Sequence, residues 1–224
     1  MENLTGGTPP VRYLPCVVPC KLYFEKNLKM GYFEYVDYLN DLHGIAEYDY
    51  FANEKCASKN KKVSRSDEGL VCHHVFEYYA PQLSHPEYAK QFPYKYQKAE
   101  NLVYCDLLEH LLLHVKITLE NYFNKTSVFS VGIGGIVNYI APQLNDIYTG
   151  KEFTQPYHVR QADLVRENYS EYIRILQTLA FTLFPGFPDY YSPEGQALAE
   201  LLTVLSKGSD GVPLERIAKS FFDL

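Results

Sequence analysis

The histidines of this chain are concentrated in one stretch, and their spacing constrains the fold more than any other feature. Five of the seven histidines lie between positions 73 and 114. His73 and His74 are adjacent, whereas His110 and His114 are four residues apart. Side chains at i and i+4 lie on the same face of a helix, so the imidazoles of the second pair can reach one ion. A fold that brings both pairs together would create a metal site.

The residues around these histidines predict two strands followed by a helix. Residues 69–76 and 102–105 are rich in strand-forming side chains. Apolar residues between positions 107 and 121 recur with helical period, and Asp106 precedes them as a suitable N-cap. The first histidine pair is therefore expected on a strand and the second pair on the helix.

A glutamate, Glu109, precedes the helical histidine pair. The resulting Glu-His-x-x-x-His pattern resembles the His-Glu-x-x-His helix of zinc metalloproteases. In the protease helix the glutamate follows the first histidine, where it serves as general base. Glu109 stands before both histidines and so points to a different face of the helix. The order of residues argues against a metalloprotease.

The full order of these residues resembles HNH nucleases, in particular the histidine-rich sites of colicin-type DNases. A His-His pair is followed by Asn101, by a histidine nine residues later and by another histidine four residues after that. The resemblance covers about residues 68–117. It implies an α+β fold, in which a ββα-metal catalytic core with a long hairpin insertion is embedded in a mostly helical domain. In that family a β-hairpin followed by a helix holds one divalent ion against the scissile phosphate.

The resemblance implies a role for each residue of the pattern. It assigns metal binding to His73, His110 and His114, and activation of the attacking water to His74 as general base. Asn101 corresponds to the residue that braces the hairpin and orients the base. The implied activity is that of a metal-dependent endonuclease, a hydrolase that cleaves phosphodiester bonds of DNA; RNA is not excluded as a substrate.

One divalent metal ion is the implied cofactor, and the ligand types bear on its identity. Three neutral imidazoles leave coordination positions open for phosphate and water, as a catalytic site requires. Nitrogen ligands favour Zn, Ni or Co, whereas Mg prefers oxygen. Mn or Mg can still support activity where the substrate phosphate completes the coordination shell. The sequence therefore leaves Zn, Ni, Mn and Mg open.

Two features depart from the family pattern. The hairpin connection, about residues 76–100, is longer than the compact loop common in these nucleases. This connection either contacts the substrate and contributes to its recognition, or is a helical insertion without a role in binding. In addition, the sequence offers no obvious acidic ligand. Glu68 or Glu109 is expected to orient a ligand imidazole from outside the coordination shell.

A basic stretch precedes the first histidine pair. It contains Lys59, Lys61, Lys62 and Arg65. Its position predicts that these side chains bind the substrate phosphates. The alternative is a solvated loop, which is what charge runs usually form.

The net charge and the aromatic content limit the function. The net charge of −6 at pH 7 excludes strong nonspecific binding of DNA through the electrostatic field of the whole protein. The chain has 21 Tyr and 13 Phe but no Trp, and tyrosine rings suit either nucleic-acid stacking or core and dimer surfaces. These features favour a nuclease with a restricted substrate or partner. The alternative is a zinc-stabilised ββα binding or inhibitory protein without catalysis.

The sequence pattern divides the chain into three segments. Residues 1–66 form an N-terminal extension with a short strand at 17–24, a helix at 31–42 and the basic loop. Residues 67–121 form the HNH-like core, and residues 122–224 are mostly helical. Apolar helix faces in the last segment are compatible with a homodimer.

The last segment predicts three helices and a close approach of the backbone. Helices are expected over residues 161–181, 192–205 and 213–222. The sequence Gly132-Ile-Gly-Gly135 lacks the Lys-Ser/Thr of a phosphate loop. Its glycines instead predict close helix packing or a sharp turn.

Cysteine usage and hydrophobicity bear on the compartment. Five cysteines without secretory features indicate reduced thiols. The spacing of Cys16 and Cys20 suits zinc, but buried small side chains are favoured because a second close pair is missing from the sequence. The longest apolar runs are too short to span a bilayer, and the first residues lack a signal-peptide pattern. We expect an intracellular, cytoplasmic protein without a membrane partner.

Overall fold

The structure combines α-helices with one small antiparallel sheet and is mostly helical. It is a computed structural model that describes residues 26–124, 129–186 and 191–221. The α+β composition predicted from the sequence is confirmed at this level. The predicted strand at 17–24 and the Cys16/Cys20 pair lie outside the described residues.

The two described strands pair directly with each other. Strand β1 (Val71–His74) runs antiparallel to β2 (Leu102–Cys105), and His73 lies opposite Val103 in the register. The connection between them contains one short α-helix, α2 (Pro86–Ala89), and three 3-10 helices, the first over Val75–Tyr78. Strand β1 is thus shorter than the predicted strand, because the chain turns into this 3-10 helix after His74.

Nine α-helices in the described residues have defined bounds, together with one π-helix that links the fourth of them to the fifth; residues 26–29 are helical as well. The nine helices are α1 (Tyr32–His43), α2 (Pro86–Ala89), α3 (Leu107–Phe123), α4 (Phe129–Gly135), α5 (Ala141–Tyr148), α6 (Pro156–Val165), α7 (Tyr169–Leu183), α8 (Pro193–Leu205) and α9 (Glu215–Ser220); the π-helix is Ile136–Ile140. None of the helices in the described ranges is long and apolar enough to cross a membrane.

Helix α3 begins with a capping box that fixes its start directly after β2. The Asp106 side chain accepts hydrogen bonds from the backbone N–H groups of Leu108 and Glu109, both at 2.8 Å. The Glu109 carboxylate accepts in return from the backbone N–H of Asp106, also at 2.8 Å. Reciprocal capping satisfies donors that a helix start otherwise leaves open. The predicted N-cap is confirmed, and it sets the rotation of the helix that carries His110 and His114.

Helix α3 is also the centre of the main hydrophobic core. Its buried side chains include Leu111, Leu113 and Ile117, and the helix contacts α1, α4 and α7. One cluster of buried residues extends from Tyr32 to Phe221. Residues from all three predicted segments therefore share a core with the helix that carries the second histidine pair.

The glycines after α3 allow α4 to approach it closely. A Cβ atom on Gly132 would lie within 3.0 Å of the Thr118 hydroxyl and the His114 carbonyl oxygen. A Cβ atom on Gly135 would lie within 3.0 Å of the His114 ring. Such separations are not tolerated by real Cβ atoms, so larger residues would force the helices apart. Of the two predicted roles for these glycines, close helix packing is confirmed.

The prediction of one continuous helix over 161–181 was wrong, because this region contains two helices, α6 and α7. Asn168 has non-helical backbone angles (φ −105°, ψ 34°), and its N–H donates to the Val165 carbonyl at 2.9 Å. Asn often breaks helical hydrogen bonding in this way because it is stable in turns. Helix α6 starts earlier than predicted, with a proline at its first position, where the missing N–H is harmless.

The other predicted helices are found with small changes of boundary. The helix expected over 31–42 is α1 and the helix over 192–205 is α8. The Ser192 side chain accepts from the Gly195 N–H at 3.0 Å and so caps α8. The helix expected over 213–222 is the shorter α9.

Candidate metal centre

Four side chains from three elements converge on one point beside α3. They are His73 from β1, Glu77 from the 3-10 helix that follows it, and His110 and His114 from α3. Each offers one ligand atom, and these atoms all lie within 4.8 Å of one another. The group could hold a metal ion, since imidazole nitrogens and a carboxylate oxygen are common ligands of transition metals. The three histidines predicted as ligands are thus brought together.

Glu77 is the member of this group that the sequence analysis missed. Its Oε2 atom lies 3.5 Å from Nδ1 of His73 and 3.3 Å from Nε2 of His114. In a continuous strand, residues 73 and 77 would be about 13 Å apart at about 3.3 Å per residue. The 3-10 helix at Val75–Tyr78 turns the chain back and brings the carboxylate to the histidines. Glu77 would have been predicted as a ligand only if the sequence had shown that the strand ends at His74.

The hydrogen bonds of Tyr32 define which nitrogen of His73 is available to an ion. The Tyr32 hydroxyl donates to the Val75 carbonyl at 2.9 Å and lies 3.0 Å from Nε2 of His73. Because the Tyr32 hydroxyl donates its proton to the Val75 carbonyl, its oxygen can only accept a hydrogen bond from His73, whose Nε2 must therefore be protonated. Nδ1 of His73 is then unprotonated, buried and without a hydrogen-bond partner among the described atoms. A buried lone pair that faces Glu77 in this way fits a metal ligand.

A backbone carbonyl fixes His114 in the complementary orientation. Nδ1 of His114 lies 3.2 Å from the carbonyl oxygen of Gly132. A carbonyl can only accept, so Nδ1 carries the proton and Nε2 presents its lone pair towards Glu77. Support of a ligand imidazole by a carbonyl is a common device in metal sites, since it holds both the ring and the tautomer.

Burial lowers the pKa of two histidines of the group, His73 and His110, and so keeps them neutral. The pKa of His110 is lowered to about 3, first by burial and then by the proximity of His114. Burial also lowers the pKa of His73, and the nearby histidines add to this effect. Burial would raise the pKa of Glu77, but its close contact with His114 and the proximity of His73 lower it well below its usual range. Neutral imidazoles and an ionised carboxylate are the forms that bind metal ions.

The group opens into a cavity of about 360 Å³. All four members of the group line it. Most of the remaining wall comes from the hairpin connection, including Gln82 and Ser84, and from the end of α4 with the π-helix that follows it, including Asn138 and Tyr139. The described residues that line this cavity include no lysine or arginine. A ligand could therefore reach the candidate metal position from solvent and would meet uncharged polar groups on the way.

His74, the predicted general base, lies on the other side of Glu77's carboxylate group and is not among the described residues that line the cavity. Its Nδ1 atom is 3.9 Å from Oε1 of Glu77, and Nε2 lies 2.8 Å from Oε1 of Gln97. The Gln97 amide nitrogen donates to the Leu83 carbonyl at 3.1 Å. The amide oxygen therefore accepts from Nε2 of His74, which leaves the Nδ1 lone pair directed at the Glu77 side.

Gln97 holds His74 where the resemblance implied Asn101. The Asn101 side chain donates to the Lys95 carbonyl at 2.7 Å, and the structure gives no contact between its described atoms and His74. It braces the end of the hairpin connection just before β2. Gln97 is fully buried in the same connection. The role predicted for Asn101 stays a prediction, and the contact that holds the His74 ring is made by Gln97.

The predicted phosphate-binding cations lie outside the described cavity wall, and three of them contact aromatic rings. Lys59 Nζ is 4.7 Å from the ring centroid of Tyr50, and Lys62 Nζ is 5.2 Å from that of Tyr48. Arg65 bonds the Glu68 carboxylate and the His43 carbonyl. Lys61 is exposed in a short 3-10 helix. The structure does not bring these four side chains to the described cavity wall.

Neither glutamate expected to support a ligand imidazole does so. Glu68 pairs with Arg65. Glu109 caps α3, and its Oε2 lies 2.7 Å from Nε2 of His43 at the end of α1. This expectation was wrong, because Glu109 faces away from the metal-binding face of α3, as its position before His110 dictates. Tyr32 and Gly132 provide the support instead.

The fold and the site together define a mixed, mostly helical chain with a His₃Glu group able to hold one metal ion. Comparison of the chain with protein-family models, with curated proteins and with solved structures gave no match. The assignment of function therefore depends on the geometry of the site.

Replacing Tyr32 with phenylalanine is expected to lower the affinity for Zn²⁺ by about 10–100-fold, the usual effect of losing a hydrogen-bond partner of a ligand imidazole. The change removes the acceptor of the His73 Nε2 proton while keeping the ring. Calorimetric titration with Zn²⁺ measures the affinity. Tyr88→Phe, at an exposed position, is the matched control. Equal affinities of both variants and wild type would contradict the role of Tyr32.

The metal-free protein is expected to lose stability as the pH falls below about 6.5, the ordinary pKa of histidine. His73 and His110 have lowered pKa values in the folded state, so the unfolded state binds more protons in this range. Stability therefore falls with decreasing pH, by about 1.4 kcal/mol per pH unit for each such histidine. The loss continues down to about pH 3 for His110. Above pH 6.5 this contribution is constant.

Urea unfolding of the metal-free protein at a series of pH values measures this dependence. The variant His110→Ala should show a shallower decline, because one of the two titrating groups is missing. A stability that stays constant between pH 6.5 and pH 5 would show that these histidines are not held neutral.

Proposed function

We propose that the chain is a metal-dependent phosphodiesterase, an endonuclease that hydrolyses DNA. The observation that carries this proposal is the convergence of His73, His110 and His114 with Glu77 beside an open cavity. The ligands come from a strand and from the helix that follows the second strand, which is the order of a ββα-metal core. A cytoplasmic location and action on DNA as partner belong to the same proposal.

The residues of the site suit this chemistry. His73, His110, His114 and Glu77 would hold a divalent ion such as Zn, Ni, Mn or Mg, and three nitrogen ligands favour Zn or Ni. When bound, the ion polarises the phosphate and stabilises the departing 3′ oxygen. The tautomers fixed by Tyr32 and by the Gly132 carbonyl keep two nitrogen lone pairs directed at one point. The cavity leaves this point accessible to a phosphodiester.

The proton of the attacking water is proposed to be held by Glu77 and His74 together. Oε1 of Glu77 lies 3.9 Å from Nδ1 of His74, the ring nitrogen that Gln97 does not engage. Glu77 faces the cavity, and the proton would pass from water through the carboxylate to Nδ1 of His74 when the 3.9 Å separation closes to hydrogen-bond length on substrate binding. Gln97 keeps Nε2 protonated and the ring in place. His74 thereby keeps the role of base, with Glu77 as its contact to the cavity.

Cleavage of supercoiled plasmid and of single-stranded circular DNA, with Mg, Mn, Ni and Zn in turn, tests the proposal. Wild type is expected to nick or degrade at least one substrate in a metal-dependent reaction. His74→Ala is expected to lose cleavage by at least about 100-fold, in the range of general-base catalysis, while it still binds the metal. Absence of cleavage of either substrate with every metal would contradict the proposal.

A noncatalytic, zinc-stabilised binding protein is the second candidate function. The observation that favours it is the lack of lysine and arginine among the described residues that line the cavity. In that case Zn²⁺ raises the melting temperature, since a ligand that binds the folded state stabilises it, but no nucleic acid is cleaved. The cleavage experiment and a melting curve with Zn²⁺ therefore separate the two candidates.

A further inference from the structure

We propose that the cavity beside the metal centre binds an unpaired nucleotide, so that the substrate is single-stranded DNA; this inference rests on the proposed phosphodiesterase function. The cavity volume of about 360 Å³ lies in the range of about 300–1,000 Å³ typical of pockets for small-molecule ligands. A pocket of this size accommodates one nucleotide that has left its stack. A base-paired helix is too wide to enter it, since the major groove alone is about 12 Å wide.

The chemistry of the cavity wall suits a nucleobase better than a phosphate backbone. Gln82, Ser84, Asn138 and Tyr139 contribute amide and hydroxyl groups to the wall. Such groups form hydrogen bonds with base edges, and tyrosine rings stack on bases of any sequence. Proteins that grip duplex DNA along its backbone use lysine and arginine, and none lines the described part of this cavity.

Tyr139 is the residue best placed to stack on a base. It lines the cavity, and 64% of its surface is exposed, so most of its ring is accessible to a ligand. It belongs to the π-helix Ile136–Ile140. Single π-turns are rare and frequently occur at functional sites, because they shift the side chains that follow.

A second backbone irregularity lies on the hairpin connection. Gln82 has a φ angle of +55°, in the left-handed region that residues other than glycine adopt rarely. Such conformations cost free energy and concentrate at ligand-binding sites. Gln82 is exposed and lines the cavity. Two of the segments that line the cavity therefore carry unusual backbone at a residue able to contact a base.

Binding to a fluorescein-labelled oligonucleotide with a phosphorothioate backbone, which resists hydrolysis, tests this inference. The Zn²⁺-loaded protein is titrated against the single strand and against its duplex, and fluorescence anisotropy gives both affinities. We expect the single strand to bind at least about tenfold more tightly, because a duplex must first unstack a base. Tyr139→Ala should lose about fivefold or more of the single-strand affinity, the effect of one stacking contact.

Two further variants make the result specific. Tyr139→Phe keeps a ring and should retain most of the affinity. Tyr191→Ala removes a tyrosine that is 84% exposed near α8 and should bind as wild type does. Equal affinity for single strand and duplex, or no effect of Tyr139→Ala, would overturn the inference.

The cleavage assay separates this inference from the function on which it rests. If duplex plasmid is cut while single strand and duplex bind equally, the inference fails and the phosphodiesterase function stands. If neither DNA is cut but the single strand binds through Tyr139, the nucleotide site stands and the catalytic proposal fails.

Discussion

Replacing His110 with alanine is expected to abolish high-affinity binding of Zn²⁺. The three imidazole rings are almost equally spaced, with the His110 centroid 5.2 Å from that of His73 and 4.9 Å from that of His114, and 5.1 Å between the other two. The loss of His110 removes one of three nitrogen ligands. The effect should exceed the roughly 10–100-fold loss that follows removal of a partner outside the coordination shell.

Calorimetric titration with Zn²⁺ measures this effect, and circular dichroism checks that the variant is folded. His158→Ala is the matched control, because His158 contacts Gln161 on α6 and does not belong to the four-residue group. Wild-type affinity in His110→Ala would show that the ion binds elsewhere. A loss of affinity in His158→Ala alone would lead to the same conclusion.

Two adjacent glycines are expected to respond in opposite directions to the same change. A Cβ atom on Gly134 would have Asn138 Nδ2 as its nearest neighbour, at 3.9 Å, an ordinary contact. A Cβ atom on Gly135 would collide with the His114 ring. Gly134→Ala should therefore stabilise the protein by up to about 1 kcal/mol, the gain in helix propensity. Gly135→Ala should destabilise it by about 1–3 kcal/mol through overpacking.

The Gly135 variant should also bind Zn²⁺ more weakly, because the collision displaces a ligand imidazole. Gly134→Ala should bind the ion as wild type does. Urea unfolding gives the stabilities, and calorimetry gives the affinities. The same stability and affinity in both variants would show that α4 does not hold His114 in place.

The elements that carry the ligands could be predicted because their signals are local. The helical period after Asp106 and the spacing of His110 and His114 define α3 and its metal-binding face. The branched side chains around His73 predict a strand, although not its end. Each of these features depends on neighbours in the chain, which a sequence displays directly.

The supporting groups could not be predicted, because they come from distant or irregular parts of the chain. Tyr32 reaches His73 from α1, and its role depends on how α1 packs on the core. The position of Glu77 depends on the 3-10 helix after β1, which the sequence did not predict because its residues are typical of strands. Gln97 lies in a hairpin connection longer than the family pattern allows, so the pattern pointed to Asn101 instead.

The central claim is that His73, Glu77, His110 and His114 bind one metal ion, and X-ray absorption at the zinc edge of the Zn²⁺-loaded protein tests it most directly. The account predicts one ion per chain, with three imidazole nitrogens at about 2.0–2.1 Å and carboxylate oxygen at about 2.0–2.2 Å. Sulfur ligands at about 2.3 Å, or a protein that retains no zinc, would contradict it.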